Sequence, residues 1–241
     1  MPVEKDTMIE AIDVNMEYRR AGAIIRALVD INLTIKSGEF VMIQGPTGCG
    51  KSTLLNVMSG LDKPDSGKII FDGENIARAT EDRLSRIRRQ KVGFVFQDFN
   101  LINSLTAMEN VEALLWPTVL RSKEIEDRAI AALRDVDMLH RKDHFPSQLS
   151  GGEKQRVALA RAIVSKPRVI FGDEVTGNLD PESEKQIMEL LKKINQDYET
   201  TIIVVTHRDT VAKYGDHIIK MDKGAIISGS GEAESRKKSK N

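Results

Sequence analysis

The chain has one cysteine in 241 residues, Cys49, which excludes an internal disulfide and any zinc cluster built on several thiolates. It has no excess of either charge. Lys plus Arg number 36 and Asp plus Glu number 36, so the net-positive field of a dedicated nucleic-acid binder is missing and no nucleic-acid partner is expected. Long apolar runs are missing too. The longest, Ala129–Leu133, falls far short of the roughly 20 residues that a membrane-spanning helix needs. Met1–Asp6 has neither the basic flank nor the apolar stretch of a signal peptide, so a cytosolic setting is expected. What is present is ordinary: 40% hydrophobic and 30% charged residues, too apolar for a disordered chain. The length suits one large core with an inserted subdomain. The expected division is one domain over residues 1–228, a helical insert at about 98–164 and a mobile tail at 229–241.

Patterning gives an α/β fold class. Ile12, Val14, Met16 and Tyr18 alternate, as do Val29, Ile31, Leu33 and Ile35, the period of half-buried antiparallel strands in an N-terminal β subdomain. Phe40–Ile43 is instead continuously apolar, as in a strand covered on both faces, and runs through a glycine-rich loop into the helix-compatible Lys51–Met58. Similar strands at Val92–Phe96, Val169–Phe171 and Ile202–Val205, with helical segments between them, predict a mostly parallel core sheet with flanking helices. Within the helical insert, Thr106 with Glu109 and Ser150 with Glu153 match the capping box. Asp180-Pro181 opens a helix whose Ile187, Leu190, Leu191 and Ile194 share a face. Asp222-Lys223-Gly224 marks a last hairpin turn.

Two segments carry chemistry on residue type and spacing. Gly45-Pro46-Thr47-Gly48-Cys49-Gly50-Lys51-Ser52 fits G-x-x-x-x-G-K-[ST] between a buried strand and a helix. Its glycines let backbone amides face a phosphate, the helix start adds partial positive charge, Lys51 suits the β/γ oxygens, and the Ser52 hydroxyl suits Mg²⁺. Arg168–Glu174 is an apolar strand ending in two carboxylates: Asp173 suits Mg²⁺ and Glu174 suits deprotonation of an attacking water. Cys49, beside Lys51 and a helix start, is expected to be a reactive thiolate.

Leu149-Ser150-Gly151-Gly152-Glu153-Lys154-Gln155-Arg156 resembles the signature of ATP-binding cassette (ABC) ATPases, and the resemblance runs from Met8 to about Ser228. It implies the P-loop NTPase cassette fold, ATP and Mg²⁺ as cofactors, and a homodimer in which Ser150, Gly151 and Gly152 of one copy meet the γ-phosphate held by Gly45–Thr53 of the other. It also implies that Gln97 senses Mg²⁺ as a metal ligand and joins the insert, that His207 contacts the γ-phosphate, that Tyr18 stacks on adenine, that Thr53 belongs to the nucleotide cradle, and that the loop ending at Asp180 links the two sites. One departure is Val175 where relatives carry proline, which predicts a softer loop. Gly60–Pro64, Arg86–Gln97, Asn100–Ile102 and Leu105–Asn110 look most similar to the subfamily powering lipoprotein release, macrolide export and the cell-division complex. That implies a separate transmembrane permease docking near Phe99–Val111 and a peripheral place on the cytoplasmic face of the membrane. Two alternatives stay open: mechanical signalling through a membrane partner, and a DNA-repair or ribosome-associated cassette.

Overall fold

A computed structural model describes residues 7–20 and 23–229; Met1–Asp6 and, apart from Gly229, the expected tail lie outside the described residues. In chain order come β1 (Thr7–Arg20), β2 (Ala23–Lys36), β3 (Phe40–Gln44), α1 (Lys51–Ser59), β4 (Ser66–Phe71) and β5 (Glu74–Asn75). Then follow α2 (Glu81–Lys91), β6 (Val92–Phe96), α3 (Ala107–Glu112), α4 (Ser122–Asp135), α5 (Gly151–Ile163), β7 (Val169–Asp173) and α6 (Pro181–Tyr198). The last elements are β8 (Thr201–Thr206), α7 (Asp209–Ala212), β9 (His217–Asp222) and β10 (Ala225–Ser228). Two compact units emerge, one within Met1–Arg86 and Thr201–Asn241, the other Ile87–Thr200.

The first unit holds an antiparallel sheet in the order β2-β1-β4-β5 and the strands β10-β9-β3-β8, with β3 parallel to both β8 and β9. Every residue of β8 is buried, as is β3 up to Ile43, the continuous apolarity that a parallel strand covered on both faces requires. Helix α1 leaves β3 and packs on β8. The strict alternation expected for β1 and β2 is corrected once in each strand: Ile12 and Val29 are only half-buried, while Ala11, Val14, Leu28 and Ile31 are buried. Bulges are the cause. Asp13 and Asp30 take positive φ, 49° and 47°, which resets the pleat by one residue. Each bulge is held by the other strand's asparagine, since Asp30 N–H donates to Asn15 Oδ1 at 2.9 Å and Asp13 N–H to Asn32 Oδ1 at 3.1 Å. Amides released from the ladder are thereby satisfied.

In the second unit β6 and β7 pair in parallel, α5 packs on β6, and α3, α4 and α6 pack against α5. Both capping boxes form, at Thr106 on α3 and Ser150 on α5. Asp180 caps α6 by accepting from Glu182 N–H and Ser183 N–H, Pro181 takes the first turn, and Ile187, Leu190, Leu191 and Ile194 are buried. In this stretch the sequence pattern and the tertiary packing agree.

Candidate functional site

Parallel register decides which residues leave the strands together. In the first unit Gln44 lies opposite Thr206, so the Gly45 loop and His207 emerge side by side at the carboxyl ends of neighbouring strands, where open α/β proteins bind ligands. Gly45 N–H donates to Thr206 O at 3.4 Å, Cys49 N–H to Pro46 O at 3.3 Å, and Leu54 N–H to Gly50 O at 2.9 Å as α1 begins. Gly50 must be glycine: its φ is 104° and a Cβ there would overlap the Ala27 carbonyl oxygen. Pro46, Thr47, Gly48 and Ser52 are exposed around this turn, and Thr53 is half-buried. Lys51 is different. It is 5% exposed, and its Nζ donates to Gly45 O and Pro46 O, each at 2.9 Å. Among the described residues no carboxylate pairs with it.

Tyr18 is 39% exposed near the end of β1 and stands opposite Ile25 of β2, itself 50% exposed. Its hydroxyl donates to Asp62 Oδ2 at 3.2 Å. Desolvation is the main cause of a raised phenol pKa, opposed by a hydrogen bond with Thr53 and reinforced by the Asp62 charge.

Cys49 does not meet the expectation of a reactive thiol. It is 6% exposed, and its carbonyl accepts from Gly224 N–H at 2.9 Å, so the hairpin turn after β9 covers the loop from that side. A thiolate reagent needs access as well as a lowered pKa. Labelling of native Cys49 by a maleimide is therefore expected to be slow with or without nucleotide, and fast only after denaturation. Rapid labelling of the native protein that ATP suppresses would restore the earlier expectation.

In the second unit Phe96 lies opposite Asp173, so Gln97 and Glu174 leave adjacent strands at one edge. Glu174 has a φ of 47°, and the turn that it opens is closed by Gly177 N–H to Glu174 O at 2.8 Å and Leu179 N–H to Thr176 O at 3.1 Å. Asp180 at its end is held below the ordinary carboxyl pKa, first by the Ser183 side chain. At the start of α5, Ser150 is exposed. Its Oγ accepts from Glu153 N–H at 3.3 Å, while its own N–H donates to Glu153 Oε2 at 2.8 Å, and these Ser150 donors, backbone first and then hydroxyl, hold the Glu153 carboxyl below its ordinary pKa. Val175, at which a softer loop is expected, is 2% exposed, and its carbonyl accepts from Gln155 Nε2 at 2.6 Å.

Three residues to which sequence reasoning gave no role of their own organise this unit. Gln155, fully buried, also donates to Phe96 O at 3.4 Å. Arg161 donates to Phe99 O at 2.8 Å and Asn100 O at 2.5 Å, and burial lowers its pKa. Phe99 and Asn100 are both left-handed, with φ of 60° and 50°, so the guanidinium steadies a turn with an unfavourable backbone. Side chains of α5 thus fix the main chain on both sides of Gln97. The third is Asn178, whose amide meets that of Gln97. For Arg161 the available signal was a charge inside the otherwise apolar stretch Val157–Val164.

A protein-family model described as ABC transporter matches residues 28–177. The uncharacterized ABC transporter ATP-binding protein MJ0796 of Methanocaldococcus jannaschii is 45% identical over 223 residues, covering 91% of this chain and 95% of that protein. The macrolide export ATP-binding/permease protein MacB of Chlorobium luteolum is 39% identical over 221 residues, covering 92% of this chain and 33% of that longer protein. Among solved structures, the dimeric post-hydrolysis state of the ATP-binding cassette MJ0796 bound to ADP and Pi is similar at a TM-score of 0.84 and 43% identity, covering 92% of this chain and 97% of that chain. With the family model spanning more than half of its length and relatives aligned across nearly all of it, the chain belongs to the ABC transporter family as an ATP-binding, ATP-hydrolysing cassette.

Proposed function

We propose that this chain is an ATP-driven subunit that closes on a second copy of itself around two ATP molecules and passes that movement to a separate membrane permease. The observation that carries the reading is the Lys51 site: a buried cation whose hydrogen bonds among the described residues go to loop carbonyls, at a helix start with a glycine turn in front of it, fits a phosphate group. Gly45, Pro46, Thr47, Gly48, Cys49, Gly50, Lys51, Ser52 and Thr53 cradle the phosphates, and Tyr18 stacks on adenine. The hydroxyl of Ser52, the carboxylate of Asp173 and the amide oxygen of Gln97 are hard oxygen donors suited to Mg²⁺, which would neutralise charge on the phosphates when bound. Glu174 takes the proton of the attacking water, and His207 donates to the γ-phosphate. Ser150, Gly151 and Gly152 reach the ATP of the other copy, and Asp180 closes the loop that links the two sites.

The dimeric cassette of M. jannaschii with ADP and Pi supports the paired arrangement. The joined ATP-binding and permease parts of MacB support a membrane partner, here a separate chain of the lipoprotein-release or macrolide-export type. Among the described residues no helix is long and apolar enough to cross a membrane. Ile102 at 48% exposure, inside the proposed docking segment Phe99–Val111, and Trp116 at 52% leave apolar surface for such a partner. The permease would hold the chain at the cytoplasmic face of the membrane.

Specific ATPase activity is expected to fall on dilution as the dimer dissociates. Gly152→Asp, which sets a carboxylate where the other copy's γ-phosphate is read, is expected to abolish turnover while leaving binding of a fluorescent ATP analogue intact. Activity independent of concentration, together with an active Gly152→Asp protein, would remove the dimer from the account.

A further inference from the structure

Gln97 ends the strand β6 and Asn178 belongs to the turn between β7 and α6, yet their side chains form a reciprocal pair. Gln97 Nε2 donates to Asn178 Oδ1 at 3.3 Å. Asn178 Nδ2 donates both to Gln97 O at 3.2 Å and to Asp98 Oδ1 at 3.0 Å. The assignment of oxygen and nitrogen in Asn178 is chemically forced, because Gln97 O and the Asp98 carboxylate are both acceptors and the amide nitrogen must face them. The neighbouring residue completes the seat. A Cβ on Gly177 would lie 2.8 Å from Gln97 Nε2, 3.0 Å from its Cδ and 3.2 Å from its Cγ, so the glutamine side chain lies across a position that only a hydrogen leaves open. The turn beneath it begins at Glu174, whose carbonyl accepts from Gly177 N–H at 2.8 Å.

We propose that Asn178 is a positioning residue for Gln97: it docks the Gln97 amide onto the turn that starts at Glu174, so that the amide and the carboxylate move as one piece. This rests on the reading above, in which Gln97 serves Mg²⁺ and Glu174 the attacking water. An untethered glutamine has three side-chain torsions to fix before its amide oxygen faces a metal. Here the nitrogen end of the amide is already held, which leaves the oxygen end to face outward. Both asparagine donors are used on main chain or carboxylate of the Gln97 segment, so a displacement of the 177–180 loop pulls directly on the residue that senses the metal. Asn178 is exposed, so replacing it leaves no buried polar group unpaired, and the melting temperature is a poor reporter of what it does.

The test is a double-mutant cycle in the full chain: wild type, Asn178→Ala, Gln97→Ala and the pair, each assayed for kcat and for half-saturating Mg²⁺ at saturating ATP, with thermal melting alongside. Asn178→Ala is expected to raise half-saturating Mg²⁺ about 3- to 10-fold, the range for loss of about one ordinary hydrogen bond, with melting unchanged. The same substitution on the Gln97→Ala background is expected to do nothing further. Asn178→Asp keeps an acceptor for Gln97 but faces Asp98 with a second carboxylate, and is expected to be as damaging as alanine. Equal effects of Asn178→Ala on both backgrounds would show that it acts elsewhere and overturn the proposal. A wild-type-like Asn178→Ala beside an impaired Gln97→Ala would overturn the proposal and leave the functional reading standing. A wild-type-like Gln97→Ala would overturn that functional reading itself, and the proposal with it.

Discussion

Glu174→Gln is expected to bind ATP normally, to lose about 10²- to 10⁴-fold in turnover, the usual contribution of a general base, and to accumulate as a dimer when Mg-ATP is added. Glutamine has the same shape as glutamate and places no new demand on a residue already held at a φ of 47°, so the turn closed by Gly177 N–H onto its carbonyl survives. What disappears is the oxygen proposed to accept the water's proton. Dimer accumulation follows from differential affinity: ATP favours closure only through contacts that ADP lacks, so a protein that cannot convert one to the other stays closed. Size-exclusion chromatography with and without Mg-ATP, beside a phosphate-release assay, measures both halves. Hydrolysis within twofold of wild type would take the base role away from Glu174.

Lys51→Ala is expected to fail earlier, at binding. Lys51 is 5% exposed and among the described residues its ammonium engages Gly45 O and Pro46 O, so an arriving phosphate gains a cation whose other hydrogen bonds are to neutral carbonyls. Losing two charge-assisted hydrogen bonds at about 1.5–3 kcal/mol each predicts an affinity loss of about 100-fold or more. Without nucleotide the cost is small. Pro46 is exposed, so water can replace the ammonium on its carbonyl, and the melting temperature should move by no more than about 4 °C, the effect of about 1 kcal/mol at this size. Calorimetric titration of ATP and a melt of the free protein separate the two quantities. A large drop in melting temperature with ATP affinity intact would make Lys51 a structural residue.

How far the sequence could be read depended on how local the cause was. The strands β3, β7 and β8 were legible because continuous apolarity is dictated by burial on both faces, and the starts of α3, α5 and α6 because each cap lies within three residues of what it satisfies. The phase change in β1 and β2 was hidden because it needs Asp13 and Asn32, 19 positions apart, to find each other. The tie on the Cys49 carbonyl was hidden for the same reason: it comes from Gly224, and nothing beside the cysteine announces it. Arg161 read as one more helix arginine, since its partners are main-chain carbonyls and carbonyls leave no trace in residue identity. The Gly45–Gly50 turn between β3 and α1 was legible by residue type, whereas the links that α5 and Asn178 make around Gln97 were visible only as distances.

The bracing of the Gly45–Gly50 turn has a kinetic consequence. Gly224 N–H holds the Cys49 carbonyl, Val29 N–H holds the Gly224 carbonyl at 2.9 Å, and the Ala27 carbonyl closes against Gly50, so two separate stretches of chain, β2 and the turn after β9, mould the cradle before any guest arrives. A receptacle cast in advance spends nothing on reshaping at the moment of capture. Different nucleoside triphosphates should accordingly enter at nearly equal speed and be told apart by how long each one stays.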